Sequence, residues 1–447
     1  MLDALTEAVL NNASPEVLAT APVPRDYPAL YLDAADQDMF RGVAAPDVRS
    51  SLRLGRVAMP ELAPDEVLVA VMASSINYNT IWSALFQPVP TFGFLRRFAR
   101  QGRWEARHDL PYHVLGSDGA GVIVRVGDGV RRWKTGDHVV VSCVYADDQE
   151  PATHADGMLG AEQRVWGFET NFGGLAHYAV VRASQLVRKP AHLTWEESAS
   201  IPLCAGTAYR MLVSDRGARF KQGDIVLIWG ATGGLGSYAV QLVRNGGGIA
   251  VGVVGSAAKA RALRELGCDL VLQRDEIGLS PHAGDDPAAA IDSGRRLGAA
   301  IRARFGEDPH IVFDYVGKAT FPISLYVARR GGTVVTCGSS TGYDHRYDNR
   351  YLWMKLKRIV GSHAANLQEL SECMRLVELG RLHPTISETY TLDEAPEAAR
   401  LVQNNGHLGK LGVLCMAPSP GLGVTDPARR EALGEARLNP LRLPVAV

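Results

Sequence analysis

No C-x-x-C pair and no metal-ligand spacing occurs among the six cysteines (Cys143, Cys204, Cys268, Cys337, Cys373, Cys415). A disulfide framework and a zinc ribbon are therefore not expected, and a reduced, cytoplasmic setting is. Charge of one sign is missing as well. With 47 Lys+Arg against 48 Asp+Glu, the chain has no net field to draw nucleic acid or an anionic membrane, so an anionic ligand must be held by local basic groups. No uninterrupted apolar run reaches the roughly 18 residues of a membrane span. The opening "MLDALTEAVLNNASPEVLAT" has no basic start followed by a long apolar run, which argues against a signal peptide. No internal repeat is visible.

What is present is the balance of a globular enzyme, 46% hydrophobic and 21% charged over 447 residues, a length that exceeds one ordinary core and suggests two domains. Residues 50–145 carry short apolar runs punctuated by Gly and Pro, among them "EVLVAVMASSIN", "GAGVIVRVGDGV" and "GDHVVVSC", which read as strands of a β-rich domain. From about residue 206 strand and helix alternate. "DIVLIWG" (224–230), "IAVGVVG", "DLVLQ", "IVFDYVG" and "GGTVVTCGS" read as strands, "SYAVQLVRNGG" and "AAKARALRELG" as helices, and the rhythm as a doubly wound parallel sheet. The polar "RDEIGLSPHAGDDPAAAIDSGRR" reads as an excursion from the sheet edge. "NLQELSECMRLVELGRL" reads as an amphipathic helix, and the last thirty or so residues as a surface-wrapping tail. The expected division is a catalytic domain over 1–205, a cofactor domain over 206–363, and a return to the catalytic domain with a tail over 364–447.

The most informative glycines lie in "VLIWGATGGLGSYAV", where a hydrophobic strand gives way to a helix. Glycine lets the backbone turn tightly and approach a pyrophosphate, whose charge then meets the N–H groups of the helix start. Gly230, Thr232, Gly233, Gly234, Leu235 and Gly236 are the candidate contacts. A site specific for NAD usually has an acid after the next strand, where it binds the ribose 2′-hydroxyl. Here Ser256 and Lys259 stand instead, with Arg274 after the third strand, a set suited to the 2′-phosphate of NADPH/NADP+.

A β-rich first domain, an inserted dinucleotide domain and a return to the first resemble the medium-chain dehydrogenase/reductase superfamily. That resemblance implies a GroES-like β-rich catalytic domain plus a doubly wound Rossmann cofactor domain. Zinc alcohol dehydrogenases carry a His-Glu pair where this chain reads "LGSDGAGVIVRVGDGV", with Ser117 and Asp118 in those places. Serine is a poor zinc ligand and the structural cysteine cluster is missing, so no metal site is expected. That points to reduction of an activated C=C bond.

"SINYNTIW", "HDLPYHVLGSDGAG", "QRVWGFETNFGGLA", "YDNRYLWMKLKRIVGSH" and "GKLGVLCMAP" together resemble crotonyl-CoA carboxylase/reductase. The resemblance implies NADPH-dependent reductive carboxylation of 2-enoyl-CoA thioesters, crotonyl-CoA or longer, to alkylmalonyl-CoA for polyketide extender units. It also implies that Asn79, Phe168, Glu169 and His363 hold CO2. The chemistry is coherent. An amide N–H and an imidazole N–H suit acceptor-only oxygens and Phe168 makes a dry wall, while a carboxylate would repel CO2, so Glu169 is expected to orient His363.

Arg350 and Tyr351 are candidate contacts for CoA. Ala364 and Val165 stand where the family commonly has Phe and Ile, and if both line the acyl pocket the missing volume favours longer enoyl chains. The alternatives are an enoyl-CoA reductase without carboxylation and a binding protein that keeps NADPH without turnover. A homodimer or homotetramer is expected by analogy with the superfamily.

Overall fold

Ten consecutive residues, Glu66–Ser75, are buried along a single strand in the computed structural model, which describes residues 2–442. This strand is central to a seven-stranded sheet. It pairs antiparallel with Ala120–Val126, Tyr178–Arg182 and Lys410–Leu414, and the last of these pairs parallel with Ile386–Thr391. A strand covered on both faces needs apolar residues throughout, which is why "EVLVAVMASS" reads as a continuous run rather than an alternation. A second sheet joins Arg53–Ala58, Asp26–Asp33 and Tyr112–Val114. The core around them includes Val69, Ile81, Leu115, Trp166 and Leu175.

The chain divides into two units, one running to Leu203 and resuming over Ile386–Arg442, the other spanning Cys204–Thr385. In the second, six parallel strands lie in the order Leu270–Gln273, Ile249–Val254, Ile225–Trp229, Ile311–Phe313, Thr333–Thr336, Arg358–Gly361. Numbered along the chain this is 3-2-1-4-5-6, the arrangement of a dinucleotide-binding sheet, whose ligand crevice opens where the order reverses beside the first strand. Every strand expected from 224 onward is present, each somewhat shorter than the stretch read from the sequence.

Three expectations need correction. The second unit continues to residue 385, not 363, because the amphipathic helix Leu367–Glu378 packs within it. The Arg210 guanidinium meets the Glu369 carboxylate there at 2.8 Å, both largely buried, and Glu369 also completes a capping box with Asn366. The polar stretch after Arg274 is only partly an excursion. Its Asp286 caps the helix Pro287–Phe305, with proline in the first turn, a start signal that the surrounding polarity obscured. The tail, as far as residue 442, carries two short helices, and Arg430 anchors it by a bidentate contact to the buried Glu197 at 2.7 and 2.9 Å. Residues 443–447 lie outside the described residues.

Candidate active site

The first unit gathers its polar side chains around the segment Leu115–Asp118. Asp118 is fully buried, and one of its oxygens accepts from the Ser75 hydroxyl at 2.6 Å, the Asn77 amide at 2.7 Å and the Lys410 ammonium at 3.1 Å. Its other oxygen accepts from the Leu203 backbone at 3.0 Å. Lys410 is itself 2% exposed and donates also to the Ile76 carbonyl and the Asn77 side chain. A buried charge is tolerated only when paired and fully hydrogen-bonded, and this cluster meets both conditions. Asn77 stands at the N-cap of the helix Tyr78–Leu85, yet its side chain makes no cap bond because it faces Asp118 and Lys410. The helix start is thereby tied to the ion pair.

Asn79, in the first turn of that helix, donates its amide to the Ser117 hydroxyl at 2.7 Å. Its carbonyl oxygen is buried with no hydrogen-bond partner. Buried polar atoms are seldom left unsatisfied, so this oxygen stays open to a donor.

The loop carrying Phe168 and Glu169 lies against the same segment. Gly174 and Leu175 donate to the Gly116 and Leu115 carbonyls at 2.8 and 2.9 Å. A Cβ at Gly167 would fall 2.0 Å from the Gly116 carbonyl oxygen and one at Gly174 would fall 2.1 Å from that of Asp118, so backbone meets backbone and only glycine fits. Asn171 locks the loop from inside by accepting from Val114 and Phe172 and donating to Tyr112.

Two buried imidazoles complete the clamp. Nδ1 of His108 accepts from the Asn171 amide at 2.9 Å, and Nε2 of His113 meets the Thr170 carbonyl at 3.2 Å. The first bond requires a neutral ring and the second a proton on Nε2, and burial drives both rings toward the neutral form, His113 down to about 4 and His108 well below its ordinary value. Glu169 uses one oxygen to accept from the Val165 amide at 2.9 Å while its own N–H returns to the Val165 carbonyl, so part of its job is to close its own turn. Phe168 is half-buried beside Phe94, ring centres 6.1 Å apart. The segment Leu115–Asp118 therefore holds Asn79, Phe168 and Glu169 in one framework.

In the second unit the glycine turn has the form the sequence requires. Gly230 takes a φ of +59°, and Tyr315 donates its hydroxyl to the Gly230 carbonyl at 2.8 Å. A Cβ at Gly233 would meet that hydroxyl at 2.7 Å, and one at Gly236 would fall 2.3 Å from the Gly230 oxygen. The helix Gly234–Asn245 starts from Gly233 with no side-chain cap, so its first N–H groups are available to a phosphate. Thr232 is buried and Leu235 half-buried in the same turn.

Ser256 caps the next helix by accepting from the Lys259 amide. The Arg274 guanidinium lies over Gly255, 2.7 Å from where a Cβ would stand. Burial and the field of Arg274 push the Lys259 ammonium below its ordinary value. Two neighbouring cations with no acid in the cap fit a 2′-phosphate dianion, so the residues present suit NADP.

Other predicted residues are placed differently. Arg350 is 73% exposed in its side chain and pairs with Asp348 at 2.6 Å, and Tyr351 packs edge-on against Tyr326. Lys357 lies in the same basic stretch. It is buried and caps the helix Phe321–Val327 by donating to Leu325 and Tyr326 carbonyls, with burial pushing it down to about 8. Val165 is buried in a two-residue strand beside Val144 in the first unit. His363 is exposed in the second unit, next to the buried Ala364, which takes a left-handed φ of +44°.

Sequence reasoning missed Lys410, Asn77, Ser75, Asn171, His108, His113 and Tyr315. One signal was available, a lysine opening the apolar strand of "GKLGVL", which must be either exposed or paired. Among the described residues no group of three or more His, Cys, Asp or Glu side chains is arranged to hold a metal ion, and no helix is long and apolar enough to cross a membrane.

Two family descriptions match the chain, Alcohol dehydrogenase GroES-like domain over residues 63–191 and Zinc-binding dehydrogenase over residues 234–378. Crotonyl-CoA reductase of Streptomyces collinus is 49% identical, covering 96% of both chains. Crotonyl-CoA carboxylase/reductase of Cereibacter sphaeroides is 40% identical over 83% of this chain and 85% of its own. The structure of the 2-octenoyl-CoA carboxylase reductase CinF of a Streptomyces species, in complex with NADP and 2-octenoyl-CoA, has a TM-score of 0.97 and 65% identity, covering 98% of this chain and 99% of that one.

Proposed function

This chain belongs to the crotonyl-CoA carboxylase/reductase family, with a GroES-like unit and a Rossmann unit, and from that membership we propose that it converts 2-enoyl-CoA thioesters, NADPH and CO2 into alkylmalonyl-CoA. When bound, NADPH supplies the hydride that adds to the β-carbon of the enoyl thioester. The remaining work belongs to the protein. Hydride addition leaves an enolate on the substrate, and its α-carbon either bonds to CO2, giving a carboxylate with no proton needed, or takes a proton from water. Excluding water and holding CO2 decides between the two.

Asn79, Phe168, Glu169 and His363 are the residues we assign to CO2. Asn79 and His363 donate N–H groups to its oxygens, His363 directly or through an ordered water, Phe168 keeps water away, and Glu169 orients without touching the acceptor oxygens. The observation that carries this reading is the Asn79 amide, half-buried, held by Ser117 and incompletely partnered. Gly230, Thr232, Gly233, Gly234, Leu235 and Gly236 take the pyrophosphate, with Ser256, Lys259 and Arg274 on the 2′-phosphate. Arg350, with Tyr351 beside it, exchanges its partner Asp348 for a CoA phosphate, an exchange of little consequence for a pair whose arginine is exposed.

We assign Val165 and the small Ala364 to the acyl chain, and preference for chains longer than crotonyl follows, each buried methylene contributing up to about 0.8 kcal/mol. Likeness to the octenoyl enzyme supports this. The products would serve as extender units for polyketide assembly. A homodimer or homotetramer forms through the dinucleotide sheet, beside whose edge strand Arg358–Gly361 the residues Trp353, Met354 and Leu356 are all more than half exposed. Six free thiols suit the cytoplasm.

The test is incubation with NADPH, 2-octenoyl-CoA and labelled bicarbonate. Labelled hexylmalonyl-CoA, one per NADPH oxidised, is the expected product, and unlabelled octanoyl-CoA alone would make the protein a plain enoyl-CoA reductase. A higher kcat/KM for crotonyl-CoA than for octenoyl-CoA would overturn the chain-length assignment.

A further inference from the structure

Asn79 and Ser117 touch through one hydrogen bond, and everything around that bond is immobilised. Asn77, two residues before Asn79, is gripped by Asp118 and Lys410. Asp118 follows Ser117 in the chain and receives four hydrogen bonds, while the Gly116 carbonyl before it is taken by the Gly174 amide. Both ends of the contact are therefore fastened to one buried ion pair, and what remains variable is the direction of the bond. A hydroxyl both donates and accepts, and a carboxamide presents a carbonyl on one side and an NH2 on the other. With the amide donating to Ser117, as here, the buried position opposite is an oxygen without a partner. With the hydroxyl donating to the amide oxygen, that same buried position becomes an NH2. CO2 has only acceptor oxygens, so at that buried position it is held by the second arrangement and not by the first.

We propose that Ser117 is the positioning residue for Asn79, its hydroxyl donating to the amide oxygen when CO2 is bound so that the amide N–H faces the CO2 oxygen, with the Asp118–Lys410 pair fixing both partners. The proposal rests on the reading that Asn79 serves CO2. It concerns the fate of the enolate and not hydride transfer, because Ser117 is 1% exposed and its hydroxyl is engaged with Asn79. Without the hydroxyl, the amide lacks its donor, CO2 is held less well, and the enolate α-carbon more often takes its new bond from a proton of water.

The experiment measures, for Ser117→Ala, Ser117→Thr and Asn79→Ala, NADPH oxidation with octenoyl-CoA and the ratio of hexylmalonyl-CoA to octanoyl-CoA across a bicarbonate series. In S117A the apparent KM for CO2 should rise about tenfold, the scale of one lost hydrogen bond, with NADPH oxidation within about threefold of wild type on the same scale. S117T, which keeps the hydroxyl, should restore the ratio. The double variant N79A/S117A should match N79A, since a residue acting through another adds nothing once that other is gone. An unchanged product ratio in S117A, or equal loss of both products as from mere destabilisation, overturns the proposal. So does an additive double variant. If S117A does not fold, Ser117→Cys, of similar size and a weak donor, must show the same fall in carboxylated share. Absence of label in the wild-type product would instead overturn the reading of function itself, which separates the two failures.

Discussion

Asp118 in the first unit and Asp314 in the second are both fully buried, and they are stabilised by different means. Asp118 is neutralised by Lys410. Among the described residues no cation pairs with Asp314. The Thr320 and Ser324 hydroxyls and the Val316 and Gly317 amides donate to it, and burial still raises its pKa above the ordinary value. The difference follows what each unit must present. On the proposed function the first unit serves neutral CO2, which gains nothing from an exposed cation, and Lys410 is consumed internally. On the same reading Lys259 and Arg274 are kept for the dinucleotide, and the buried acid of that unit is satisfied without them.

The contrast is broken most forcefully at Asp118. Asp118→Asn leaves the Lys410 ammonium buried without its counter-charge and should reduce stability by about 3–5 kcal/mol in denaturant titration. Adding Lys410→Met to that variant should recover part of the loss, because the orphaned charge is then gone.

Next in size is the surface pair. Lys259→Ala with Arg274→Ala should raise the KM for NADPH about a hundredfold, two charge-assisted contacts being lost, while the KM for NADH stays near its wild-type value.

Asp314→Asn should cost less, about 1–2 kcal/mol, since Asn keeps one acceptor oxygen and no cation is stranded. Its pH dependence sharpens the comparison. A carboxyl whose folded pKa lies above 3.8 keeps its proton in the folded state after the unfolded chain has lost it, so wild-type stability declines as pH rises through the raised pKa. Thermal midpoints of wild type should therefore fall relative to D314N from about pH 4 upward. Parallel curves would mean that hydroxyl and amide donors hold the anion as well as Lys410 holds Asp118. Smallest of all, Ala364→Gly should stabilise by about 1 kcal/mol or less, by relieving a left-handed backbone at a residue with a Cβ.

Legibility followed the range of the interactions. The strands from "DIVLIWG" to "GGTVVTCGS" could be read because a parallel strand covered on both faces writes its burial into consecutive residues. The glycine turn was equally plain, with three glycines each forced by a contact within the βαβ unit or with Tyr315. The boundary at residue 385 could not be read. An amphipathic helix over 367–378 announces that it packs but not on what, and the Arg210–Glu369 pair that decides it joins residues 159 positions apart. At the site, Asn79, Phe168 and Glu169 stood out within recognisable blocks. The role of Glu169 in closing its own loop, and the hub that holds Asn79, did not.

Strand periodicity, the strand-to-helix glycines and the absence of an acid after the second strand are local properties of composition and spacing, and they determined a dinucleotide-binding sheet with a preference for a phosphorylated ribose. Whether Asp118 would be a ligand, a proton carrier or a structural anion was settled by Lys410, which lies 292 residues away. Its partner could be named only once the chain had folded, because a buried charge is stabilised by what surrounds it in space.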